Sequence, residues 1–526
     1  MKINLSNINE KQRTGLASIG GVFLALCSIS LIPVFAFIAL IPIIFSLNKS
    51  SLKSTIKNGF ISGISAGIFS NFWMIKTISE FSNFQMGLLS YLFGMLLLGF
   101  IFILVFLVFY PFVNIKLNVS FKILSIACSW AIIEWLVANY LKTTFWLHPV
   151  LYRNLLNYEF LVQPAVFGGG VFISFLATLI NGALAFYIIK QQKIRFYHLI
   201  GSILCFLLIS SLALVVYPEN KNGAPIKVTL INAAHPLHLE WDETTGDKVV
   251  NEILKLNKAA YKTNSDLHIW TEAIVPWTFS KKDDFLNAIL AEDNGRNVGN
   301  IIGMLSEYHL DTFYNSAYYF EKDFINLQRY DKRFPLAFSE GPVRIFNIPI
   351  LRSIDFVIMP GNYEGIFNTN VGTAGIAICN ETILDPIYKD IYMKNPDFLV
   401  GITNDGWLSN SKYLLNQHIL NNRLRAIESR KDIIFNSNLG FSGVFNSMGK
   451  EIFRKKDAHP YIQTVSINSQ NKITFYVRYL NLIPYLYFVL AIFILILNYS
   501  KFNNNRKKLN LHEKNLYSFY IVFLCL

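Results

Sequence analysis

The sequence predicts a multi-span α-helical membrane domain of about eight helices and one extramembrane α/β domain. Of the 526 residues, 53% are hydrophobic and only 15% are charged, which is too apolar for a soluble protein of this size. The long apolar runs are unevenly placed, with seven before Pro218 and one after Val477. A polar block of roughly 260 residues separates them, and we expect it to form a domain inserted between the seventh and eighth spans.

The membrane spans are predicted from the length of each apolar run and from proline. Residues 15–47 are too long for one span, and Pro33 and Pro42 divide them into two short helices. A secretory signal peptide is the alternative for the first half, but no small-residue cleavage site follows. The other spans are predicted at 59–78, 86–113, 121–141, 166–189, 199–217 and 482–499. The predicted domains are therefore a membrane domain at 1–217, the polar domain at 218–480, a last membrane helix at 481–499 and a tail at 500–526.

Lysine and arginine are distributed asymmetrically about these spans. With the N-terminus inside, the inside segments hold sixteen of them, whereas the short outside loops hold only Lys76, Lys142 and Arg153. Positive charge is retained on the cytoplasmic side. We therefore expect both termini in the cytoplasm and the polar domain outside it. The same distribution accounts for much of the net charge of +13, which for this reason does not indicate nucleic-acid binding.

The polar block contains one of the five cysteines, Cys379, so it cannot form an internal disulfide. The small and β-branched residues at 374–378 predict a buried strand that ends at this cysteine. A thiol at the end of a strand is a common way to present a nucleophile, although a lone cysteine is more often a core residue. Two other reactive groups in the polar block favour the nucleophile.

Two further predicted strand ends carry a reactive group, Glu272 after HIWT and Lys332 after RYD. Separately, each would be taken for a solvated surface residue. Together with Cys379 they supply a carboxylate to take the thiol proton, an ammonium to stabilise an oxyanion and a nucleophile to attack an acyl carbon. His235 and His238 straddle a proline with no cysteine nearby, so a loop is expected there rather than a metal site. We expect neither a metal nor a cofactor.

Short motifs spread over the polar block support this arrangement. They are EWD at 240–242, WTEAIVP at 270–276, YNSA at 314–317, YDKR at 330–333, ICNE at 378–381, TNDGW at 403–407 and RLRAIE at 423–428. The ordered set of Glu272, Lys332 and Cys379 resembles the catalytic triad of the nitrilase superfamily. With the flanking spans included, the chain is similar to the apolipoprotein N-acyltransferase family of the bacterial inner membrane.

This resemblance implies a nitrilase-like αββα fold for the polar block and a role for each matching residue. Glu272 would be the general base, Lys332 the oxyanion stabiliser and Cys379 the acyl-accepting nucleophile. Glu340 and Glu381 match acidic residues that support the site. Three tryptophans match aromatic positions where substrate would pack, with core packing or an interfacial aromatic belt as the alternative for each: Trp241, Trp407 and Trp146.

The sequence departs from the family pattern at two places. Asn380 follows the cysteine where the family has a tyrosine, and PLAFSE at 335–340 replaces LVPFGE. The shifted proline and the missing glycine change the backbone options of that loop. In a later predicted helix, Arg423, Arg425 and Glu428 are expected to form a solvated face with an Arg425–Glu428 pair.

The resemblance further implies an acyltransferase with two membrane-bound substrates. A glycerophospholipid would give an acyl chain to Cys379, and the N-terminal amine of a diacylglyceryl-modified apolipoprotein would take it from the thioester. The enzyme would be a monomeric, multi-pass protein of the bacterial inner membrane with a periplasmic catalytic domain; its partners would include membrane lipids and no nucleic acid. Two alternatives remain: a membrane-tethered amidase of the same superfamily, deacylated by water, and a catalytically silent membrane scaffold.

The charge asymmetry leads to a test of orientation. A membrane-impermeant thiol reagent applied to intact spheroplasts should label a cysteine introduced by Asn222→Cys, because the polar domain is expected on the outer side. It should not label one introduced by Asn504→Cys. Mass spectrometry of the two peptides measures the labelling, and permeabilised cells, in which both positions should react, are the control. Labelling of position 504 alone in intact spheroplasts would reverse the predicted topology.

Overall fold

The computed structural model describes residues 8–30, 32–114, 118–142, 147–190, 193–219, 225–236, 242–292, 297–309, 312–337, 339–345, 348–351, 357–408, 411–490 and 492–493. The chain divides into two compact units. The first comprises Met1–Val137, Phe145–Leu214 and Tyr479–Leu526, and the second comprises Ala138–Thr144 and Val215–Arg478. The first is helical and the second contains the β-strands. The domain boundaries drawn from the sequence stay predictions.

The first part of the chain is mainly α-helical in its described residues. They are α1 (Glu10–Ile29), α2 (Val34–Ile38), α3 (Ile41–Leu47), α4 (Leu52–Ser70), α5 (Trp73–Phe81), α6 (Phe84–Asn114), α7 (Val119–Tyr140), α8 (Glu159–Val162), α9 (Ala165–Lys190) and α10 (Lys193–Val216). Among the described residues, five of these helices are long and apolar enough to cross a membrane: α1, α6, α7, α9 and α10.

The predicted fold class is confirmed, but two predicted spans form differently. The second short helix expected within 15–47 is two pieces, α2 and α3, because Pro33 precedes the first residue of α2 and Pro42 lies in the first turn of α3. The span expected at 59–78 is divided between α4 and α5, since α4 ends at Ser70 and α5 begins at Trp73. The last predicted span is described at 482–490 and 492–493 and is helical from 483 onwards; its other residues lie outside the described ones.

Helix α4 packs against α6 through a row of glycines. A Cβ added at Gly59 would lie 2.8 Å from the carbonyl oxygen of Phe102, and one at Gly63 would lie only 2.2 Å from that of Leu98. Small residues allow two helix backbones to approach this closely, which is how helices associate in a membrane. Close backbone packing therefore holds α4 in the helical unit. Its many polar residues explain why α4 is not among the five long apolar helices.

Glu134 of α7 is a buried carboxylate within the first unit. Its Oε1 accepts hydrogen bonds from Trp130 Nε1 at 2.7 Å and from the backbone N–H of Leu151 at 2.9 Å. An ionisable group at membrane depth is costly unless it has partners. Glu134 ties the loop around Leu151 to α7, so its position has a structural explanation.

The second unit is built of mixed β-sheets and helices. Its strands are β1 (Ile226–Asn232), β2 (Leu267–Ile269), β3 (Gly299–His309), β4 (Thr312–Phe320), β5 (Gln328–Asp331), β6 (Val343–Ile345), β7 (Ile348–Leu351), β8 (Val357–Ile358), β9 (Ile366–Thr369), β10 (Gly372–Ile378), β11 (Phe398–Asn404), β12 (Ile433–Asn438), β13 (Ser442–Phe445), β14 (Glu451–Lys455) and β15 (Tyr461–Ile467). Its helices are α11 (Glu243–Tyr261), α12 (Asp284–Ala291), α13 (Asp385–Met393), α14 (Lys412–Ser429) and α15 (Phe475–Tyr479).

In the described residues, the strands form two large sheets and a hairpin. The first sheet has the order β15-β1-β2-β3-β4-β5 with β8 beside β4, the second has the order β14-β13-β12-β11-β10-β9, and β6 pairs with β7. At the centre of each sheet, β1, β2 and β3 run parallel, and so do β10, β11 and β12. The carboxyl ends of neighbouring parallel strands meet at one edge of a sheet, and the loops that leave these edges carry the candidate catalytic residues.

The two sheets pack face to face with helices on the outside. Their inner faces share one apolar core that includes Val228 and Ile269 of the first sheet and Ile376 and Val400 of the second. Helices α11 and α12 cover the outer face of the first sheet through a separate core. On the second sheet, an added Cβ at Gly375 would meet a side chain of α13 and one at Gly443 a side chain of α14. This is the predicted αββα arrangement.

The α4–α6 contact generates a stability prediction. Gly63→Ala should destabilise the protein by about 1–3 kcal/mol, because the methyl group overlaps the backbone at Leu98 and the helices must separate. Thermal unfolding of the purified protein in detergent measures the loss.

Gly15→Ala is the matched control for this prediction. Gly15 is an exposed residue of α1, and a Cβ added there meets nothing within 4 Å. The change should be neutral or stabilising by up to about 1 kcal/mol, since alanine is the better helix former. Equal melting temperatures for the two variants would contradict the close approach of α4 and α6.

Candidate active site

Cys379 begins a short turn at the end of the central strand β10. The 3-10 turn Cys379–Ile383 follows the strand directly, and the side chain of Cys379 is only 3% exposed. Its backbone φ is 56°, in the left-handed region that residues other than glycine rarely adopt. Such a conformation costs on the order of 1–3 kcal/mol and persists only where the surroundings enforce it. The turn is therefore a strained element at a candidate nucleophile.

Glu272 lies in the loop after β2, pressed against β3. Ala273 has a φ of 45°, and a Cβ added at Gly303 of β3 would lie 2.6 Å from the Cα of Glu272. Only glycine therefore allows the loop to approach β3 this closely. The carboxylate is fixed by two donors, since Oε2 accepts from the backbone N–H of Asn404 at 2.6 Å and Oε1 from Asn315 Nδ2 at 2.7 Å.

Lys332 follows β5 and is fully buried, with 0% exposure. Its Nζ donates to Glu340 Oε2 at 2.6 Å and lies 3.6 Å from Glu272 Oε1. The backbone of Lys332 is held on both sides, by the carbonyl of Asn315 at 2.8 Å and by the N–H of Gly361 at 2.9 Å. The ammonium therefore stands between two carboxylates at a position that the backbone determines.

Asn315 links the two carboxylates. Its Nδ2 donates to Glu272 Oε1 at 2.7 Å and to Glu340 Oε1 at 2.9 Å. The other oxygen of Glu340 also accepts from the backbone N–H of Leu336 at 2.6 Å. Like-charged groups repel in a buried site, so the shared amide and the lysine together make this pair tolerable. Asn315 is part of the YNSA motif at 314–317, but no role for it was predicted from the sequence.

The charges of this cluster are set by burial and by each other. Burial raises the pKa of Glu272, and the Lys332 ammonium opposes this only in part. Burial disfavours the charge of Lys332, but Cys379, Glu340 and Glu272 outweigh it and raise the pKa of Lys332 above its ordinary value. Burial and the nearby Glu272 charge raise the pKa of the Cys379 thiol well above its ordinary value. The site therefore combines a lysine whose positive charge is favoured, a thiol whose ionisation is disfavoured and a carboxylate with increased proton affinity.

Glu381 ties the loop of Lys332 to the strand of Cys379. Its Oε1 accepts from the backbone N–H groups of Arg333 at 2.7 Å and Phe334 at 3.1 Å. Its Oε2 accepts from Tyr330 Oη at 2.9 Å and from the backbone N–H of Ile378 at 3.0 Å. A buried carboxylate with four donors is a structural clamp. This contact fixes Lys332 and Cys379 relative to each other.

The structure brings together five of the eight residues singled out by sequence. Glu272, Lys332, Cys379, Glu340 and Glu381 form one connected site.

Of the three tryptophans, only Trp407 falls in the described part of the chain. It is buried at 6% exposure in the 3-10 turn Gly406–Leu408, as a packing role predicts, and its substrate-binding role stays a prediction. Trp241 and Trp146 lie outside the described residues. No group of His, Cys, Asp and Glu that could hold a metal occurs among the residues that the structure describes.

The expectation of a solvated face on α14 is wrong. Arg425 and Glu428 are both 0% exposed, and Arg423 is 7% exposed. Arg425 pairs with Glu428 at 2.8 Å and with Asp385 at 2.7 Å, and it donates to the backbone carbonyl of Ile383 at 2.9 Å. The helix is buried on nearly every side, so its charged residues face partners within the protein rather than water.

A cavity of about 190 Å³ adjoins the carboxylate of Glu272. Its lining combines polar residues, among them Glu272, Thr271 and Asn404, with the apolar residues Ile274 and Leu305. It is smaller than the roughly 300–1,000 Å³ of common small-molecule sites. A space of this size admits a small group rather than a whole drug-sized molecule.

Comparison with known proteins bears on both units. Residues 20–183 match the family model described as Apolipoprotein N-acyltransferase N-terminal domain, and residues 227–476 match the model described as Carbon-nitrogen hydrolase. An apolipoprotein N-acyltransferase from Geobacter metallireducens is 26% identical over 511 residues, covering 88% of this chain and 91% of that protein. One from Rickettsia bellii is 23% identical over 490 residues, covering 89% and 94%. The crystal structure of a carbon-nitrogen hydrolase from Helicobacter pylori G27 is 16% identical, with a TM-score of 0.37, over 47% of this chain and 90% of that one.

The fold and these matches define the class as an enzyme with a carbon-nitrogen hydrolase domain and an N-terminal helical membrane domain in one chain. The chain belongs to the apolipoprotein N-acyltransferase family, which confirms the family that the sequence motifs indicated. It is accordingly an acyltransferase and a protein of the bacterial inner membrane.

Proposed function

We propose that this enzyme transfers an acyl chain from a glycerophospholipid, through a thioester on Cys379, to the N-terminal amine of a diacylglyceryl-Cys apolipoprotein. The observation that carries the proposal is the fully buried Lys332 between two carboxylates, within electrostatic reach of the Cys379 thiol. A general base, a fixed cation and a thiol are the groups that acyl transfer requires. The family names of the relatives support the lipoprotein acceptor.

In the first half-reaction, Glu272 removes the proton from the Cys379 thiol as the sulfur attacks the ester carbonyl carbon of the lipid. The negative charge that develops on the carbonyl oxygen is stabilised by the ammonium of Lys332. The C–O bond to the glycerol then breaks, and Glu272 returns its proton to the departing oxygen. A lysophospholipid leaves, and the acyl chain remains on Cys379 as a thioester.

In the second half-reaction, the neutral amine of the apolipoprotein attacks the thioester carbonyl. An α-amino group has a pKa near ~8, so a useful fraction is nucleophilic at neutral pH. Glu272 accepts a proton from the amine as the C–N bond forms. The C–S bond breaks and the proton passes to the departing sulfur, which restores the Cys379 thiol and leaves the lipoprotein N-acylated.

The proposal includes supporting roles for other residues. Glu340 balances the charge of Lys332, and Glu381 holds the two loops together. Trp407, Trp241 and Trp146 are proposed to contact the lipid or the lipoprotein. We further propose that a monomer is active, with the catalytic domain in the periplasm and both termini in the cytoplasm, in keeping with the distribution of Lys and Arg.

An acyl-enzyme experiment tests the proposed function. After incubation with a glycerophospholipid in detergent micelles, mass spectrometry should find one acyl chain on the Cys379 peptide. A diacylglyceryl lipopeptide with a free amine should release it as the amide, whereas water alone should not. Cys379→Ser should carry no acyl chain, because a hydroxyl is far less ionised than a thiol.

Each alternative has its own outcome in this experiment. Release by water at the same rate as by the amine would indicate a membrane-tethered amidase. The absence of any acyl adduct in folded wild-type protein would indicate a scaffold without acyltransferase chemistry at Cys379.

Lys332→Met tests the proposed oxyanion role. Methionine keeps much of the apolar stem and removes the charge, so single-turnover acylation of Cys379 should slow by roughly 10²–10³-fold, about 3–4 kcal/mol in the barrier. Lipid binding should change little. The substitution leaves buried carboxylates unpaired and costs stability, so the rate is expressed per folded molecule.

Lys255→Met is the matched control for the loss of a lysine charge. The side chain of Lys255 is 76% exposed on α11, and its ammonium lies 3.9 Å from Glu252. This variant should acylate at the wild-type rate. Equal rates for Lys332→Met and Lys255→Met would remove Lys332 from the chemistry.

A further inference from the structure

A buried polar chain lies behind the turn that carries Cys379. His418 of α14 and Asp405, which follows β11, have side-chain exposures of 0% and 1%. His418 Nδ1 donates to Asp405 Oδ1 at 2.8 Å, because a carboxylate oxygen can only accept. The other ring nitrogen, Nε2, is 2.7 Å from Thr382 Oγ1 and 3.2 Å from the carbonyl oxygen of Cys379. Thr382 Oγ1 donates to the same carbonyl at 2.9 Å.

The far end of this chain is anchored in the second sheet. Asp405 Oδ2 accepts from Ser437 Oγ of β12 at 2.8 Å, and Oδ1 also accepts from Thr403 Oγ1 of β11 at 3.2 Å. The backbone N–H of Asp405 donates to the carbonyl of Asn438 at 2.9 Å. Because both strands are central in their sheet, the aspartate holds the imidazole in one orientation.

A second side chain of α14, seven residues after His418, also binds the 3-10 turn Cys379–Ile383. Arg425 Nε donates to the carbonyl of Thr382 at 3.3 Å, and Nη2 donates to the carbonyl of Ile383 at 2.9 Å. Residues seven apart lie on one face of a helix. Helix α14 therefore holds the turn at both ends, with His418 at the Cys379 end.

The strain at Cys379 gives this contact a consequence for reactivity. A left-handed φ at a residue other than glycine persists only where the surroundings enforce it. Two contacts act at the carbonyl of that very residue, since the Thr382 hydroxyl donates to it and His418 Nε2 lies 3.2 Å from it. If they were lost, the peptide could relax and move the thiol away from Lys332 and Glu272.

We propose that His418, oriented by Asp405, is a positioning residue for acyl transfer that acts through Thr382 to keep Cys379 in its reactive backbone conformation. Its contacts are with the carbonyl side of Cys379, so it positions the nucleophile rather than taking its proton. The inference rests on the proposed function for the identity of the acyl donor. The predicted change in the reactivity of the Cys379 thiol does not depend on the proposed function.

Thr382→Val and Thr382→Ser test the inference in the full-length protein. Valine keeps the shape of threonine without its hydroxyl, and serine keeps the hydroxyl. Two rates are measured per folded molecule: single-turnover acylation of Cys379 by a diacyl glycerophospholipid in micelles, and alkylation of the Cys379 peptide by iodoacetamide. Thr382→Val should lower both about 10-fold to 100-fold, as expected when a reacting group is misplaced by a fraction of an ångström to 1 Å. The lipid concentration at half-maximal rate should not change.

Thr382→Ser should recover most of both rates, and His418→Gln should behave like Thr382→Val. Ser429→Ala is the control, because Ser429 is a buried residue of α14 whose hydroxyl bonds the carbonyl of Arg425 at 2.8 Å. It should leave both rates unchanged per folded molecule.

The possible outcomes distinguish a positioning role of His418 from a purely stabilising one. They also distinguish failure of this inference from an error in the proposed acyl donor. Wild-type rates per folded molecule in Thr382→Val and His418→Gln, even with a lower melting temperature, would overturn the inference and leave the chain as a stabilising contact only. If the wild-type protein takes no acyl chain from the lipid but the alkylation rate still falls in both variants, the positioning role stands and the proposed donor is wrong.

Discussion

The buried ammonium of Lys332 is the charge around which the site is arranged. Removing such an ion from water costs several kcal/mol, and its attraction to nearby carboxylates must offset this. Glu340 at 2.6 Å and Glu272 at 3.6 Å supply that attraction and, together with Cys379, raise the pKa of Lys332 despite its burial. The lysine is thus a fixed positive charge. In the proposed reaction it would need no reorganisation when negative charge develops beside it, which is the condition for strong electrostatic catalysis.

The two carboxylates beside this lysine are not equivalent. Oε2 of Glu340 accepts the short hydrogen bond from Lys332 and one from the backbone N–H of Leu336, so the charge of this oxygen is committed to the lysine. Glu272 is 1 Å further from the ammonium, and burial raises its pKa. A carboxylate that is less firmly compensated is the better proton acceptor. In the proposed mechanism, this difference assigns charge balance to Glu340 and proton transfer to Glu272.

The sequence predicted the strand ends of the site because strand alternation and the reactive residues are local features. Cys379 after β10, Glu272 after β2 and Lys332 after β5 were all visible in short motifs. The environment of α14 was not visible, since a helix buried on all sides has no amphipathic pattern and its charged residues look solvated. The pairing of His418 with Asp405, thirteen residues apart and on different elements, likewise depends on the tertiary fold. In the first unit, span prediction relies on the length of apolar runs. It does not register the glycines of α4, which allow the close contact with α6.

The departures from the family pattern lie where backbone contacts already define the geometry. Asn380 donates from Nδ2 to the carbonyl of Phe334 at 3.1 Å, so it still links the cysteine turn to the lysine loop. The altered loop closes through the carbonyl of Leu336, which accepts from the N–H groups of Glu340 at 2.9 Å and Gly341 at 3.2 Å. Glu381 joins the same two segments through backbone N–H groups, which every residue except proline possesses. Because these clamps act on the backbone, side chains around the site can vary while the positions of the lysine and the thiol are kept.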